Sequence, residues 1–226
     1  MKRDEAARAA EHAAMLSDIE DELAYTCREV GKAAFAPCVM AALAAVPRER
    51  FVPESYRPLA FANGPLPIGH GQTISQPYIV ALMTDLLVPR SDSIILEIGT
   101  GSGYQAAVLA EIVRQVYSIE VVLALAESAR ERLAALGYRN VEVRHADGHA
   151  GWEEHAPFDG IVVTAAALNV PPPLVAQLKP GGRLVIPIGL PGDIQQLCLI
   201  EKRADGGTHS RDVLPVSFVP LTRTLR

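Results

Sequence analysis

Short apolar runs alternate with helical segments through the second half of the chain. Buried strands are predicted at residues 94–98, 116–120, 140–145, 158–163 and 184–188. Between them, helices are predicted at residues 104–114 and 122–136 and after Pro171-Pro172-Pro173. Two further strands, with an antiparallel arrangement, are predicted at residues 196–202 and 213–219. This alternation predicts an α/β fold with a doubly wound, mostly parallel sheet.

The first fifty residues have a helical period instead. One face of the predicted helix collects Leu16, Ile19, Leu23 and Cys27. Residues 17–20 match a capping box, which would begin a helix there, and the apolar stretch 33–46 predicts a buried helix. We therefore divide the chain into an N-terminal helical extension, residues 1–50, and one sheet-containing domain, residues 51–226.

Residues 53–77 are crowded with proline and glycine and predict a long loop before a helix at residues 78–87. The loop ends in the sequence Gly-Gln-Thr-Ile-Ser-Gln-Pro, residues 71–77. Long loops inside a compact domain are usually functional, so we expect this one to border a site.

Composition narrows the function classes. The 226 residues are 49% hydrophobic and 21% charged, which suits one ordered α/β domain with an extension. A net charge of -5 leaves no basic surface for nucleic acid or an anionic membrane, so neither partner is expected. The three cysteines, Cys27, Cys38 and Cys198, are widely spaced, which argues against a disulfide framework and against a zinc site. We therefore expect the protein in the reducing cytoplasm.

The most informative motif is the glycine turn after the strand at residues 94–98. Gly99, Gly101 and Gly103 alternate there, so the chain can turn sharply and meet a ligand with bare backbone. Glu120 ends the next strand, where a carboxylate can hold ribose hydroxyls. These features predict a nucleotide-like cofactor.

The spacing and charge of this turn favour S-adenosylmethionine over a nicotinamide dinucleotide. In a G-x-G-x-x-G motif Gly103 would occupy a free position, and Tyr104 would stand where the third glycine belongs. We also expect Glu97, just before the turn, to point its carboxylate at the ligand, repelling a pyrophosphate but attracting a sulfonium and an ammonium.

The histidines suggest a rival chemistry. His70 lies in the long loop, and His145, His149 and His155 surround Asp147, but their spacing fits no zinc pattern. We therefore interpret them as surface or supporting residues and expect no metal site.

Several motifs together resemble the protein-L-isoaspartate O-methyltransferase family. The likeness runs from Val46 to about Thr222. It rests on Val-Pro-Arg-Glu-Arg-Phe-Val-Pro (46–53), Pro-Leu-Pro-Ile-Gly (65–69), Gly-Gln-Thr-Ile-Ser-Gln-Pro-Tyr (71–78), Glu-Ile-Gly-Thr-Gly-Ser-Gly-Tyr (97–104) and Leu-Lys-Pro-Gly-Gly-Arg-Leu (178–184). The resemblance implies a Rossmann-like S-adenosylmethionine-dependent methyltransferase fold, with residues 51–226 as the methyltransferase domain. It also implies methyl transfer to the α-carboxyl of L-isoaspartyl residues, so that damaged proteins are repaired through a succinimide.

By that resemblance Ser75 is the catalytic hydroxyl, which positions the substrate carboxylate rather than acting as a nucleophile. The implied cofactor-binding residues are Gln72, Thr73, Ile74, Ser75, Glu97, Gly99, Thr100, Gly101, Gly103, Glu120, Asp147, Gly148 and Thr222. Glu120 would hold the ribose, and Asp147 with Gly148 would meet the adenine. Because the acceptor carboxylate is already ionised at neutral pH, no general base is required.

Four stretches depart from the family pattern: Ala62-Asn63-Gly64, Val121-Val122, Ala146 and Leu168-Asn169. The changes at residues 62–64 and 168–169 keep open a methyltransferase of this fold with a different acceptor, whereas those at residues 121–122 and 146 concern donor affinity. A second alternative is a catalytically silent S-adenosylmethionine-binding protein, against which Ser75, Glu97 and Glu120 argue. The expected partners are isoaspartyl-containing proteins and peptides. The oligomeric state and the role of residues 1–45 stay open.

Overall fold

The structure is a computed structural model that describes residues 2–223, with side chains from residue 6 onward. Met1 and residues 224–226, the two ends of the predicted domains, lie outside the described residues. The helices are α1 (Lys2–Val30), α2 (Pro37–Ala45), α3 (Pro77–Leu86), α4 (Tyr104–Ala110), α5 (Leu123–Ala135) and α6 (Pro172–Ala176). The strands are β1 (Leu66–Gly69), β2 (Gln72–Ile74), β3 (Ile94–Ile98), β4 (Gln115–Glu120), β5 (Val141–His145), β6 (Phe158–Val163), β7 (Leu178–Ile188), β8 (Gln195–Lys202) and β9 (Thr208–Val216).

The central sheet has the order β5-β4-β3-β6-β7-β8-β9. Its first five strands pair in parallel, and β8 and β9 complete it antiparallel, which confirms the predicted mostly parallel, doubly wound sheet. The chain moves outward from β3 to β5 and then returns to the other side of β3 as β6. Ligands of such sheets bind at this switch point, beyond the carboxyl ends of the strands.

The N-terminal helices pack into the same apolar core as the helices beside the sheet. Met15, Ile19 and Leu23 of α1 are buried in one cluster with Tyr78 and Leu82 of α3. The predicted division at residue 50 therefore stays a prediction, because this core crosses it. The helix start predicted from the capping box at residues 17–20 was wrong. Ser17 lies in the middle of α1, because the alanine-rich turns before it are already helical.

The predicted loop at residues 53–77 contains more structure than expected. Residues 54–59 form a 3-10 helix, and β1 and β2 form an antiparallel hairpin in which Leu66 pairs with Ile74. Both of those side chains are buried, so hydrophobic contact forms the hairpin despite its many glycines and prolines. Gly69, His70 and Gly71, at its tip, all have positive φ.

The last strand begins and ends earlier in the chain than the sequence predicted. It was expected at residues 213–219, but β9 spans Thr208–Val216, because its polar first half pairs with β8 and faces solvent. Residues 217–223 leave the sheet and run across its carboxyl edge, where Ala166 N–H donates to the Val219 carbonyl at 2.8 Å.

Within residues 2–223, every helix is too short or too polar to cross a membrane.

Candidate functional site

The glycine turn after β3 lies against a threonine at the end of β6. Gly99, Gly101 and Gly103 have φ values of +97°, +53° and +87°. A Cβ atom on Gly99 would lie 2.4 Å from Thr164 Oγ1, and this hydroxyl donates to the Gly99 carbonyl at 2.6 Å. Position 99 therefore requires glycine both for its backbone conformation and for the space that Thr164 occupies.

Glu120 fixes this turn from the neighbouring strand. Its Oε2 accepts from Gly101 N–H at 2.8 Å, and its Oε1 accepts from Val122 N–H at 2.9 Å. The side chain is 5% exposed and lies on the wall of a narrow cleft. The predicted carboxylate at the end of this strand is thus held in place by backbone amides.

We call this space the donor cleft. It combines two connected hollows along the glycine turn. One is lined by Gln72, Thr73, Ile98, Gly99, Gly101, Ile119, Glu120, Val121, Gly148, Thr164, Ala165 and residues 219–222. The other is lined by Thr73, Ile74, Ser75, Val80, Gly99, Thr100, Gly101, Ser102, Tyr104, Gln105 and Thr164. Among residues 6–223, no Lys, Arg or His lines either hollow.

The chemistry of this wall fits S-adenosylmethionine. Apolar side chains such as Ile98, Ile119 and Val121 suit an adenine ring, and Glu120 suits ribose hydroxyls. With one carboxylate and no cationic side chain among the described residues on the wall, the cleft favours a positively charged ligand over a polyphosphate.

Ten of the thirteen predicted site residues lie on this wall: Gln72, Thr73, Ile74, Ser75, Gly99, Thr100, Gly101, Glu120, Gly148 and Thr222. Glu97, Gly103 and Asp147 do not line it.

Glu97 does not line the cleft in the structure, so its predicted contact with the cofactor stays a prediction. Its side chain is fully buried, Ser118 Oγ donates to its Oε2, and its Oε1 has no hydrogen-bond partner among the described residues. Glu97 shares its face of β3 with Ile95, which packs in the cluster that contains α3 and α4, whereas Ile98 faces the cleft. The pKa of Glu97 is raised from 4.5 to about 8, mainly by burial and also by the nearby Glu120, while hydrogen bonds from Ser118 and Ala106 oppose the shift. The negative charge at the cleft is therefore that of Glu120.

Gly103 and Asp147 lie beside the cleft and support it. Gly103 is the N-cap of α4, where a Cβ atom would lie 3.2 Å from Leu133 Cδ1. Asp147 Oδ1 accepts from the backbone N–H of His149 at 2.9 Å and lies 2.9 Å from its Nδ1. This pair holds the short 3-10 turn at residues 148–150 and places Gly148 on the wall.

A second, larger space adjoins the donor cleft, and we call it the outer cavity. Its volume is about 400 Å³. It is lined by Glu22, Pro65, Thr73, Ser75, Gln76, Ile79, Thr164, Ile194 and residues 214–219. Thr73, Ser75 and Thr164 belong to the walls of both spaces, so they form the boundary between them. A group held at Ser75 in the outer cavity is thereby next to the donor cleft.

Arg48 holds the segment that carries Ser75. It is fully buried, and its guanidinium donates to the carbonyls of Ala60 at 2.8 Å, Gly64 at 3.0 Å and Ser75 at 3.1 Å. Its carbon Cζ lies 5.1 Å from the ring centroid of Tyr104. Burial lowers the pKa of Arg48 to about 10, still well above neutral pH, so the guanidinium stays charged. Sequence reasoning quoted this arginine in a family motif but gave it no role.

Glu22 of α1 enters the outer cavity and was missed by sequence reasoning. Asn63 Nδ2 and Gln76 Nε2 each donate to Glu22 Oε2 at 2.7 Å. The partners are 41 and 54 residues away along the chain, so no local signal could reveal them.

The C-terminal segment was only partly recognised. Leu214 to Val219 line the outer cavity, and Val219 to Thr222 line the donor cleft, whereas the sequence identified Thr222 alone. Leu221 N–H donates to the Ala166 carbonyl at 2.7 Å, which fixes the segment beside the end of β6.

Trp152 and His155 have a packing role away from the cleft. Trp152 is 5% exposed, and the His155 and Tyr117 rings stack at 3.8 Å between centroids. In the described part of the chain, no three His, Cys, Asp or Glu side chains are grouped so that they could hold a metal ion.

Comparison with known proteins gives a consistent result. A family model described as Protein-L-isoaspartate(D-aspartate) O-methyltransferase (PCMT) matches residues 22–226. A relative from Syntrophobacter fumaroxidans named protein-L-isoaspartate O-methyltransferase 2 is 62% identical, over 94% of this chain and 86% of its own. One from Polaromonas sp. with the same name is 57% identical, over 92% of this chain and 99% of its own.

Solved structures agree in fold. A protein-L-isoaspartate O-methyltransferase superposes with a TM-score of 0.78 at 29% identity, covering 91% of this chain and 67% of that one. A Plasmodium falciparum protein provisionally given the same name, in complex with S-adenosyl-L-homocysteine, superposes with a TM-score of 0.74 at 25% identity. That match covers 92% of this chain and 98% of the other.

Proposed function

The chain belongs to the protein-L-isoaspartate(D-aspartate) O-methyltransferase family, and on that premise we propose that Ser75 positions the acceptor carboxylate for methylation. The protein is an S-adenosylmethionine-dependent methyltransferase that acts on the α-carboxyl of L-isoaspartyl residues in damaged proteins. The methyl ester can expel methanol, which a free carboxylate cannot do, so a neighbouring backbone nitrogen attacks the ester carbonyl, displaces the methoxy group and closes a succinimide. Hydrolysis of the succinimide yields normal aspartate in part, which is the repair.

One observation carries the proposed role of Ser75. Ser75 lies on the wall of the outer cavity and also on the wall of the donor cleft, so it can contact an acceptor next to the donor. Its hydroxyl can donate to one carboxylate oxygen and leave the other free to react. Holding two reactants in a near-attack geometry removes several kcal/mol from a barrier, with ~7 kcal/mol as the lower end of the strong cases.

The proposed donor contacts follow the wall of the cleft. Glu120 would bind the ribose hydroxyls, Gly99 and Gly101 the methionine end, and Gly148 with Thr222 the adenine side. When bound, S-adenosylmethionine supplies a methyl group on a sulfonium. The bare backbone at the glycines allows close approach of the ligand.

The residues at the boundary need not move a proton. An acceptor carboxylate is ionised at neutral pH, and no histidine of the described chain lines the two spaces. Opposite charges cancel as the methyl group moves, so the reaction gains from a site with little water. Ile79, Phe218 and Val219 provide apolar wall for this purpose.

The test is transfer of labelled methyl from S-adenosylmethionine to a synthetic peptide that contains L-isoaspartate, beside the same peptide with ordinary aspartate. Methylation of the isoaspartyl form alone is the expected result. If neither peptide is methylated while S-adenosylhomocysteine still binds, the protein methylates a different acceptor or is catalytically silent. Absence of donor binding would contradict the cofactor assignment itself.

We also propose a cytoplasmic location. Cys27, Cys38 and Cys198 are all free thiols, which suits a reducing compartment. Fractionation of cells followed by the isoaspartyl methylation assay would test this location.

A further inference from the structure

Glu22 gives the outer cavity a single negative charge. Among the described residues on the wall of this cavity, it is the only charged side chain. The remaining wall is apolar or neutral, with Ile79, Ile194 and Phe218 among its members. A lone carboxylate is unexpected there, because the proposed acceptor group is itself an anion.

The carboxylate of Glu22 is held in a defined position. Tyr78 N–H donates to Asn63 Oδ1 at 3.0 Å, so the Nδ2 group of Asn63 is directed at Glu22. Gln76 provides the second donor, and both amides bind the same oxygen, Oε2. One turn later on α1, Thr26 Oγ1 lies 2.5 Å from the hydroxyl of Tyr78 and ties α1 to α3.

These contacts leave Oε1 of Glu22 available to a ligand in the cavity that contains Ser75. A fixed carboxylate attracts a cation and repels another carboxylate, and such complementarity selects partners more than it adds affinity. An acceptor whose isoaspartyl residue is flanked by Asp or Glu brings a second negative charge beside Glu22. An acceptor flanked by Lys or Arg brings a cation that balances it.

We propose that Glu22 is a specificity-determining residue, which favours isoaspartyl acceptors with a neighbouring cationic side chain and disfavours those with a neighbouring carboxylate. This inference rests on the proposed function, because it concerns the acceptor of the same reaction. It also gives α1 a role in the site, through a residue that lies outside the predicted methyltransferase domain.

The test compares kcat/KM for isoaspartyl peptides that differ only in one flanking residue, which is Lys, Gln or Glu. The substitution is made in turn on each side of the isoaspartyl residue. The enzymes are the unmodified protein, Glu22→Gln and the control Glu20→Gln. A glutamine at position 22 loses the charge, but its carbonyl oxygen can still accept from Asn63 and Gln76.

Glu20→Gln removes the same charge from an exposed position on the same helix, away from the cavity wall. It therefore reports any preference that arises from the net charge of -5 alone. We expect the unmodified protein and Glu20→Gln to prefer the Lys peptide over the Glu peptide by about fivefold, in the range of a single partly exposed charge pair. Glu22→Gln should bring this ratio close to one, mainly through KM.

The results distinguish a failure of the inference about Glu22 from a failure of the proposed function. If the unmodified protein methylates every peptide equally well, or if Glu22→Gln keeps the Lys preference, the inference about Glu22 is overturned and the proposed function stands. If it methylates no isoaspartyl peptide, the proposed function is overturned, and the inference is overturned with it.

Discussion

Arg48 donates from Nη1 to the backbone carbonyl of Ser75 at 3.1 Å. The same guanidinium binds the carbonyls of Ala60 and Gly64, so one buried cation fixes three points of the segment that precedes α3. The position of the proposed catalytic hydroxyl therefore depends on a side chain that does not line either cavity.

Replacement of Arg48 by Lys should impair both stability and turnover. A lysine cannot reach three carbonyls at once, and each unpaired buried acceptor costs about 1–3 kcal/mol. We expect the free energy of unfolding to fall by about 2 kcal/mol in urea titrations, and kcat to fall with it. Arg50→Lys, at an exposed position, is the control. Equal stability of the two variants would contradict the role of Arg48.

Ser75→Ala should lower kcat while leaving the donor affinity largely intact. A hydrogen bond to a charged group contributes about 1.5–3 kcal/mol, so we expect a loss of about 10- to 100-fold in kcat. Binding of S-adenosylhomocysteine, followed by calorimetry, separates the two effects. Ser210→Ala makes the same chemical change at an exposed position of β9. A matching loss of donor binding in Ser75→Ala would overturn this division of roles.

Glu120→Gln should weaken binding of the methyl donor, in contrast to Ser75→Ala. The substitution removes a charge and replaces one of the two acceptors for Gly101 and Val122 with a donor. We expect the Kd of S-adenosylhomocysteine to rise by about tenfold or more, the range of a charge-assisted hydrogen bond. Glu131→Gln, exposed on α5, should bind as the unmodified protein does. An unchanged Kd in Glu120→Gln would show that Glu120 does not contact the donor.

The pH dependence of the free energy of unfolding should reveal the raised pKa of Glu97. Its pKa is raised from 4.5 to about 8, so the folded protein keeps a proton that the unfolded chain releases. The stability contributed by this neutral group is fully present below pH 4.5 and is lost as the pH rises towards 8, by at most about 1.4 kcal/mol per unit. Glu97→Gln should therefore gain stability relative to the unmodified protein between pH 5 and pH 8, measured by urea unfolding. A difference that does not change with pH would contradict the raised pKa.

Gly99→Ala should cost more than Gly137→Ala. Both positions have positive φ, +97° and +88°, but an added Cβ atom meets nothing within 4 Å at Gly137 and meets Thr164 Oγ1 at 2.4 Å at Gly99. We expect about 1–2 kcal/mol of destabilisation at position 137, from the backbone conformation alone. The clash should add to this at position 99 and weaken donor binding. Equal thermal shifts for the two variants would contradict the close contact between Gly99 and Thr164.

Sequence reasoning succeeded where a pattern is local. The strands at residues 94–98 and 158–163 were predicted to the residue, because inner strands of a parallel sheet are continuous apolar runs bounded by turn residues. The hairpin of β1 and β2 was missed, because Leu66 and Ile74 are too few apolar positions among glycines and prolines to indicate strands.

The site residues show the same difference between local patterns and contacts that are distant in sequence. Glu120 could be placed because it ends a recognisable strand, whereas the direction of Glu97 depends on which face of β3 meets α4. Glu22 and Arg48 act on segments distant in sequence, so only the folded chain brings them to Ser75 and Gln76.

Residues 214–222 complete both spaces, with Val219 on the wall of each. During synthesis on a ribosome these residues emerge after strands β3 to β8. A nascent chain that has already formed its sheet up to β8 therefore holds neither a finished donor cleft nor a finished outer cavity. We therefore expect methyl transfer to require this segment, so that a partly synthesised chain should not consume S-adenosylmethionine.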